Sequence, residues 1–174
     1  MRMVLFTWLA AASLTTGARA DTPARAQLQV TSSAFTNNAD IPSEYTCDGT
    51  EISPPLTWSG VPTQAKSVAI LVEDPDAPKR TFTHWLVTGL TSTTTSLAAG
   101  AALPQGAVAA KSDKGKVGWT GPCPPSGRHH YIFHVYALDI ALARPLTRAD
   151  FLAAINGHVL GEGRLVGMYQ KPRR

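Results

Sequence analysis

The chain has 174 residues, of which 44% are hydrophobic and 16% charged, so it is long enough for one domain with a full core and too short for two ordinary domains. Sixteen Lys and Arg residues against twelve Asp and Glu residues give a formal net charge of +4. Because KPRR, residues 171–174, is the only block rich in Lys and Arg, the sequence has no nucleic-acid-binding footprint, and no nucleic-acid partner is expected.

The first part of the chain, residues 1–20, is predicted to be a signal peptide. Arg2 gives it a positive start, Met3–Ala12 forms a short apolar run, and residues 18–20 have the A-x-A pattern that precedes a cleavage site. The apolar run is shorter than the roughly 20 residues of a membrane-spanning helix, and an uncleaved anchor is the alternative. We therefore expect a periplasmic or secreted protein whose single mature domain is residues 21–174. Cleavage removes two of the 16 basic residues and none of the 12 acidic ones, which leaves a net charge of +2.

Four segments of the mature chain have the patterns of β-strands. Residues 27–31 alternate polar and apolar side chains, as a half-buried strand does, whereas residues 66–72 form the more continuous apolar run of a central strand. Residues 81–88 and 130–138 are rich in β-branched and aromatic side chains. Turns rich in Pro and Gly separate these segments, which favours a β-sandwich over alternating βαβ units.

One helix is predicted near the C-terminus. Thr147 can cap it, Asp150 lies three residues later in a position like that of a capping box, and Gly157 can end it, with an apolar stripe in between. A second, weaker helix is predicted over residues 107–111. Residues 91–106, rich in Ser, Thr, Ala and Gly, are expected to form a long surface connection.

Cys47 and Cys123 are the two cysteines, and both lie in turn-like settings. In the oxidising compartment of an exported protein, an even count permits one disulfide that closes a long loop. The sequence leaves open whether the two Cα atoms come close enough for that bond. Two thiols without histidine ligands cannot form a structural zinc site.

Asp74 and Asp76 flank Pro75, and Pro78 ends the same segment, DPDAP. Because prolines fix φ and cannot continue a strand ladder, this segment is predicted to be a stiff turn after the strand at 66–72. A solvated turn is one interpretation, and one wall of a binding site is the other. We expect the carboxylates to hydrogen-bond backbone or histidine groups, or to receive the cationic end of a ligand.

His84 lies in the next predicted strand, where alternation places it on the same face as Leu86 and opposite Trp85. A lone histidine in a strand is more often a satisfied core residue than a ligand group. A short hairpin would nevertheless return His84 to the neighbourhood of Asp74 and Asp76, which makes it a candidate site residue.

The segment GPCPPSGRHHY, residues 121–131, is a loop rich in Gly and Pro that runs directly into a strand. Its glycine N–H groups can cradle an anion, and a histidine can hydrogen-bond phosphate oxygens. Alternation places His129 and Tyr131 on one face of the strand and His130 on the other. The alternative is a plain loop with one buried and one exposed histidine. With the aspartates, these groups would suit a zwitterionic ligand.

Asp74 and Asp76 together with the histidines could also hold a divalent metal. Against this, no G-x-S-x-G, P-loop, H-E-x-x-H or Rossmann glycine pattern occurs, and nothing marks a nucleophile or a water-activating base. No catalytic residue, metal or cofactor is therefore predicted.

At this point a resemblance covers nearly the whole mature chain. The sequence is similar to the phosphatidylethanolamine-binding protein family, and more closely to its bacterial branch of Raf-kinase-inhibitor-like proteins. The motifs that carry the resemblance, in chain order, are IPSEYTCDG (41–49), ISPPLTWSGVP (52–62), DPDAP (74–78), THW (83–85), GPCPPSGRHHY (121–131), YALD (136–139) and GHVLGEGRLVGMY (157–169).

The resemblance implies an all-β fold, a Greek-key sandwich of two antiparallel sheets with small peripheral helices, and one proline of residues 53–56 that can be cis. It also implies a pocket for phosphate-type anions, including phospholipid head groups, at one end of the sandwich. Carried over residue by residue, the pocket consists of Asp74, Asp76 and Pro78 as one wall, His84 as the strand histidine, Gly121 and Pro122 as the rim, and His129 and Tyr131 as the remaining polar groups.

Two features depart from the pattern of the family. Trp119 stands where a tyrosine or phenylalanine is expected before Gly121 and Pro122, and it is expected to reshape the rim. The C-terminal helix that partly covers the pocket in animal members is expected to be absent.

We therefore expect an exported, non-enzymatic binding protein with a pocket for a small anionic or zwitterionic ligand. Bacterial relatives tend to form homodimers, and the same is expected here. One alternative is an inhibitor or interaction module for a protease or kinase as its protein partner. The less favoured alternative is a metal-assisted hydrolase.

Overall fold

The computed structural model describes residues 24–173, so the predicted signal peptide at 1–20 lies outside the described residues. Within this range the chain forms ten strands, a 3₁₀ turn at Ser43–Tyr45 and a short helix, α1, at Arg148–Ala154. The strands are β1 Ala26–Gln27, β2 Gln29–Thr31, β3 Ala39–Asp40, β4 Leu56–Ser59, β5 Ser67–Asp74, β6 Phe82–Thr91, β7 Ser96–Leu97, β8 Val108–Ala109, β9 Arg128–Leu138 and β10 Val159–Gln170.

The strands form two sheets, which confirms the predicted all-β sandwich. The large sheet has the order β1-β10-β9-β5-β6-β8, with β3 also paired to β10, and the small sheet has the order β2-β4-β7. The long strands pair antiparallel, as expected. The two-residue strands β1 and β3 differ, because both run parallel to β10.

The strand predicted at residues 27–31 is divided between the two sheets. β1 pairs with β10 of the large sheet, and β2 pairs with β4 of the small sheet. Leu28, which lies between them, is 2% exposed, and its N–H donates to the carbonyl of Glu162 at 2.9 Å. A Cβ atom at Gly163 would overlap the backbone of Leu28, so this crossing requires glycine on β10.

β5 is buried on both faces, which explains its continuous apolar sequence. Val68, Ile70 and Val72 face the small sheet and pack in one core with Trp58 of β4. Ala69 and Leu71 point the other way, into a second core. That second core is closed by the apolar residues Phe151 and Ile155 at helix α1.

Helix α1 confirms the predicted N-cap, Thr147, whereas its C-cap is Ile155, two residues before the predicted Gly157. The hydroxyl oxygen of Thr147 accepts from the N–H of Asp150 at 3.2 Å, and the same hydroxyl donates to the Asp150 carboxylate at 2.7 Å. Gly157 follows the helix with φ +81°, a conformation that favours glycine. The Thr147 side chain thus satisfies one of the N–H groups that the first turn of the helix leaves unpaired.

Glu73 anchors the helix to the large sheet. Its carboxylate accepts from Arg148 Nε at 2.6 Å and lies 3.4 Å from His134 Nε2. Burial opposes ionisation of Glu73, but the contacts with His134 and Arg148 outweigh it and lower the pKa of Glu73 to about 2. Glu73 is therefore held as a carboxylate.

Three predictions about the chain path are corrected. Residues 107–111 are not helical, because β8 pairs there with Val87 and Thr88 of β6. The predicted surface connection at 91–106 contains β7, which pairs with β4 and completes the small sheet. Every peptide bond within residues 24–173 is trans, so no cis proline occurs at 53–56.

In the same described range, no helix has the length and apolar character needed to cross a membrane.

Candidate functional site

A cavity of about 330 Å³ lies where β5 ends, next to the loop that leads into β9. Five of the residues predicted for the site line it: Asp74, Pro78, His84, Gly121 and His129. The wall is completed by residues that were not predicted to bind a ligand: Ala77, Phe82, Lys114, Thr120, Cys123, Pro124 and Pro125. The lining therefore combines a few polar side chains, among them Asp74, His84 and His129, with apolar proline and phenylalanine surfaces and one lysine.

A β-bulge brings His84 to this cavity. Val72 of β5 pairs with Trp85 and Glu73 pairs with Thr83, so His84 is the extra residue of β6. Trp85 consequently still packs between the sheets, while Leu86 belongs to the core beside helix α1.

The ring of His84 lies 4.7 Å from that of Phe82 and 5.1 Å from that of Tyr131, measured between centroids. His84 therefore lies on the side of Tyr131, and Leu86 lies in the core beside helix α1. The prediction that His84 and Leu86 share one face of the strand is wrong. The bulge breaks the alternation on which that prediction rested.

Asp74 and His129 form a buried pair on neighbouring strands. His129 Nδ1 lies 2.7 Å from Asp74 Oδ2, and the side chains are only 9% and 5% exposed. The other oxygen of Asp74 accepts from the N–H of Asp76 at 2.8 Å. Because Nδ1 of His129 is taken up by Asp74, Nε2 is the ring nitrogen left for a ligand.

His84 is fixed in one tautomer by its neighbour. Its Nδ1 lies 2.7 Å from the carbonyl oxygen of Thr120, which can only accept, so Nδ1 carries the hydrogen. Burial lowers the pKa of His84 and so favours the neutral ring, despite the hydrogen bond to Thr120 and the nearby carboxylates of Asp74 and Asp113. Nε2 therefore presents a lone pair. Within residues 24–173 this buried nitrogen has no hydrogen-bond partner.

Tyr131 packs edge to face with the His84 ring and does not itself line the cavity. It is fully buried, and its hydroxyl also has no hydrogen-bond partner in the described part of the chain. Burial, followed by the charges of Asp74 and Asp76, raises the pKa of Tyr131, so the hydroxyl keeps its proton.

Asp76 points away from the cavity. Its Oδ2 accepts from the backbone N–H of His130 at 2.8 Å and lies 2.7 Å from His130 Nδ1. Both side chains are exposed, by 41% and 48%. The prediction that the two carboxylates hydrogen-bond backbone and histidine groups is confirmed for Asp74 and Asp76.

Because each carboxylate is paired with a different histidine, Asp74 and Asp76 do not converge on one point. Among the described residues, no group of three or more His, Cys, Asp or Glu side chains is arranged to hold a metal ion.

The backbone of Gly121 does not cradle an anion as predicted. Its N–H donates to Glu51 Oε1 at 3.0 Å. Glycine is required here for another reason, because a Cβ atom would lie 2.9 Å from Thr46 Cα and from the carbonyl oxygen of Tyr45. Pro122 also lies outside the cavity lining, and its carbonyl accepts from the N–H of Cys47 at 3.1 Å.

A disulfide between Cys47 and Cys123 closes the rim, with Cα atoms 5.4 Å apart. It joins the loop at 121–127 to the turn that follows Tyr45. The sequence left this pairing open, because the two cysteines are 76 residues apart.

Trp119 does not reshape the rim of the cavity as expected. It is 7% exposed, stacks on Phe133 with centroids 6.0 Å apart, and donates from Nε1 to the carbonyl of Tyr45 at 3.2 Å. Its bulk therefore belongs to the core between the sheets.

The lining residues missed from the sequence fall into two groups. Ala77 lies in DPDAP, and Cys123, Pro124 and Pro125 lie in GPCPPSG, so these four belong to segments that had already been singled out. Phe82, Lys114 and Thr120 carry no local signal, because only the hairpin and the loop before residue 121 bring them to the site.

Sequence comparison places the chain among known relatives. A profile of the family described as phosphatidylethanolamine-binding protein matches residues 31–170. A UPF0098 protein of Methanothermobacter thermautotrophicus is 46% identical over 144 residues, which cover 79% of this chain and 95% of the relative.

Solved structures show the same similarity. A phosphatidylethanolamine-binding protein homologue of Chlamydia trachomatis superposes with a TM-score of 0.79 at 39% identity, over 84% of this chain and 99% of the other. YbcL of E. coli, described as a new member of the mammalian PEBP family, superposes with a TM-score of 0.77 at 34% identity and the same coverage.

Proposed function

This chain belongs to the phosphatidylethanolamine-binding protein family, and we propose that it is an exported, non-enzymatic protein that binds a small phosphate-bearing ligand in the cavity at Asp74, His84 and His129. The observation that carries the proposal is the buried Asp74–His129 pair beside a second buried histidine, His84, with an unpaired Nε2. Buried polar groups ordinarily have partners, and those that lack one are candidates for ligand contacts.

The chemistry of the cavity suits a phosphate ester. In its imidazolium form His129 donates from both nitrogens, so that Nδ1 serves Asp74 and Nε2 can serve a phosphate oxygen. Lys114 adds a positive charge at the wall. Pro78, Phe82 and Pro124 offer apolar contacts to the organic part of an ester.

The volume of the cavity supports a small ligand. At about 330 Å³ it lies at the lower end of the range of about 300–1,000 Å³ that is usual for small-molecule sites. It therefore fits a free phosphate compound or a lipid head group better than a whole lipid. The name of the family describes binding of phosphatidylethanolamine, whose head group is a phosphate linked to an ammonium.

Export is supported by the disulfide and by residues 1–20. A disulfide such as Cys47–Cys123 is typical of exported proteins, because cytosolic thiols are kept reduced. The signal-like pattern of residues 1–20 points to the same compartment.

The test is thermal unfolding of the purified protein with increasing inorganic phosphate or phosphoethanolamine. A ligand that binds only the folded state raises Tm with its concentration. We expect this rise in the wild type and in His130→Ala, whose side chain lies outside the cavity, and its loss in His129→Ala. ³¹P NMR should find phosphoethanolamine intact after incubation.

A rise in Tm that survives His129→Ala would show that the assignment of the cavity is wrong. Hydrolysis of phosphoethanolamine would instead favour the hydrolase alternative. A stoichiometric complex with a protease or kinase that persists in His129→Ala, without any effect of phosphate, would favour the inhibitor.

A further inference from the structure

Two polar atoms on neighbouring rings, Nε2 of His84 and Oη of Tyr131, are buried without a hydrogen-bond partner in residues 24–173. The two rings meet edge to face with centroids 5.1 Å apart. His84 lines the cavity although only 4% of it is exposed, whereas Tyr131 does not line it, so of these two rings His84 is the one in reach of a ligand. Leaving such atoms unpaired costs free energy, which a ligand with matching groups would recover.

The two atoms need opposite hydrogen-bond partners. His84 Nε2 accepts a hydrogen bond, because the single ring hydrogen lies on Nδ1 and points at the carbonyl of Thr120. Tyr131 Oη carries a hydrogen and can donate it. Because His84 lines the cavity and Tyr131 does not, the requirement on the ligand comes from His84: the ligand group must present a hydrogen to Nε2.

Phosphate esters differ in whether they carry a hydrogen that they can donate. A monoester with one negative charge, like dihydrogen phosphate, has a P–OH hydrogen as well as acceptor oxygens. A phosphodiester, the form found in an intact phospholipid, has acceptor oxygens only. Such oxygens would face the lone pair of His84 Nε2 unless the ring took up a proton, which its burial opposes.

Resting on the proposed function, we infer that the cavity selects a phosphate group that retains a P–OH, inorganic phosphate or a phosphate monoester, over the phosphodiester of a phospholipid. The selecting residue is His84, which receives the hydrogen of the ligand at Nε2. The ligand that the proposal identifies is thus a soluble phosphate compound rather than a membrane lipid.

Other charged and polar groups surround His84, but they do not change the assignment of its Nε2 as the acceptor of the ligand hydrogen. Carboxylates and a second imidazole act on the ring through space, and Lys114 and the Tyr131 hydroxyl complete its polar surroundings. The charged and titratable groups that face or influence His84 are Asp74, Asp113, Lys114, His129 and Tyr131. Each oxygen of these two carboxylates already has a donor: Asp74 accepts from His129 and from the N–H of Asp76, and Asp113 accepts from Arg80 and from the N–H of Thr83.

The first experiment compares methyl phosphate with dimethyl phosphate by isothermal titration calorimetry at pH about 5.5. Because the second pKa of a phosphate monoester is about 6, both compounds then carry close to one negative charge, and the main differences are the P–OH hydrogen and one methyl group. We expect methyl phosphate to bind at least tenfold more tightly. Equal affinities, or a preference for dimethyl phosphate, would overturn the inference.

The second comparison separates the two sources of phosphate. Phosphoethanolamine is a monoester, and glycerophosphoethanolamine is the diester head group of a phospholipid without its acyl chains. We expect the same order, with the monoester at least tenfold tighter. Tighter binding of glycerophosphoethanolamine would assign the cavity to lipid and contradict the inference.

The variant His84→Asn tests whether His84 makes the cavity prefer the monoester over the diester. Its side-chain amide can still donate to Thr120 but has no atom in the place of Nε2, so the ratio of the two affinities should fall to within about threefold. His158→Asn is the matched control, because His158 is paired with Asp139 outside the cavity, and it should keep the wild-type ratio. An unchanged ratio in His84→Asn would overturn the role of His84.

If His84→Asn does not fold, the proton balance of the wild type gives the answer. At pH about 8 methyl phosphate is a dianion and dimethyl phosphate a monoanion without a site for a proton, so methyl phosphate should take up about one proton more on binding, measured by titration in buffers of different ionisation enthalpy. Equal uptake with the two esters would assign the proton to a protein group such as His129 and overturn the inference. If both esters bind with equal affinity and this binding is lost in His129→Ala, the inference fails and the proposed function is retained. If neither ester binds, both the inference and the proposed function are overturned.

Discussion

Asp74–His129 and Asp76–His130 are two carboxylate–imidazole pairs built from the same two stretches of chain, each with a carboxylate oxygen 2.7 Å from Nδ1. The first pair is 5% and 9% exposed and lines the cavity, whereas the second is 41% and 48% exposed and lies outside it. His129 and His130 are consecutive residues of β9, so their side chains point to opposite faces. Identical chemistry therefore becomes a candidate site on one face and a surface ion pair on the other, and burial makes the difference.

Removing each carboxylate in turn should give the largest contrast between the pairs. Asp74→Ala leaves a buried imidazole and the N–H of Asp76 without their acceptor, so we expect the free energy of unfolding to fall by about 3 kcal/mol. Asp76→Ala breaks an exposed pair, and the loss should be about 1 kcal/mol or less. Urea unfolding at pH 7 measures both.

Asp139→Ala is the control for this contrast, because Asp139 forms a third pair, with His158, that is also exposed. Its loss of stability should match that of Asp76→Ala. Losses of equal size for Asp74→Ala and Asp76→Ala would show that burial does not distinguish the two pairs.

Acid titration should reveal a smaller effect of the exposed pair. Hydrogen bonds from the backbone and ring of His130 lower the pKa of Asp76 below its ordinary value of 3.8. A carboxyl group with a lower pKa in the folded state stabilises the protein above pH 3.8, and this contribution is lost as the pH falls through the lowered pKa.

The difference in unfolding free energy between wild type and Asp76→Ala should therefore shrink as the pH falls from about 5 through the lowered pKa of Asp76. Because both side chains are well exposed, we expect the change to stay below about 1 kcal/mol. A difference that grows as the pH falls from 5 to 3 would contradict the assignment.

The elements of the fold follow from local sequence patterns. The apolar run of β5, the aromatic residues of β9 and the Thr147 cap each act within a few residues, so they are predictable from the sequence. The split at Leu28 is not, because it depends on Gly163 of β10, far along the chain.

The site is predictable only in part, because some of its residues are positioned by contacts with residues far along the chain. Asp74 and His129 fit simple alternation along β5 and β9. Asp76 does not, because β5 ends at Asp74 and the chain turns, so the spacing of two no longer keeps both carboxylates on one face. His84 reaches the cavity through a bulge, and the N–H of Gly121 is taken by Glu51, 70 residues away.

The central claim, that the buried histidines and not the exposed one meet the ligand, can be tested in one sample. Two-dimensional ¹H–¹⁵N NMR of the imidazole nitrogens, recorded while inorganic phosphate is added at constant pH, observes His84, His129 and His130 together. We predict that the Nε2 resonances of His84 and His129 shift with saturation, while those of His130 stay in place. Shifts confined to His130, or no saturable shift at His84 and His129, would contradict the account.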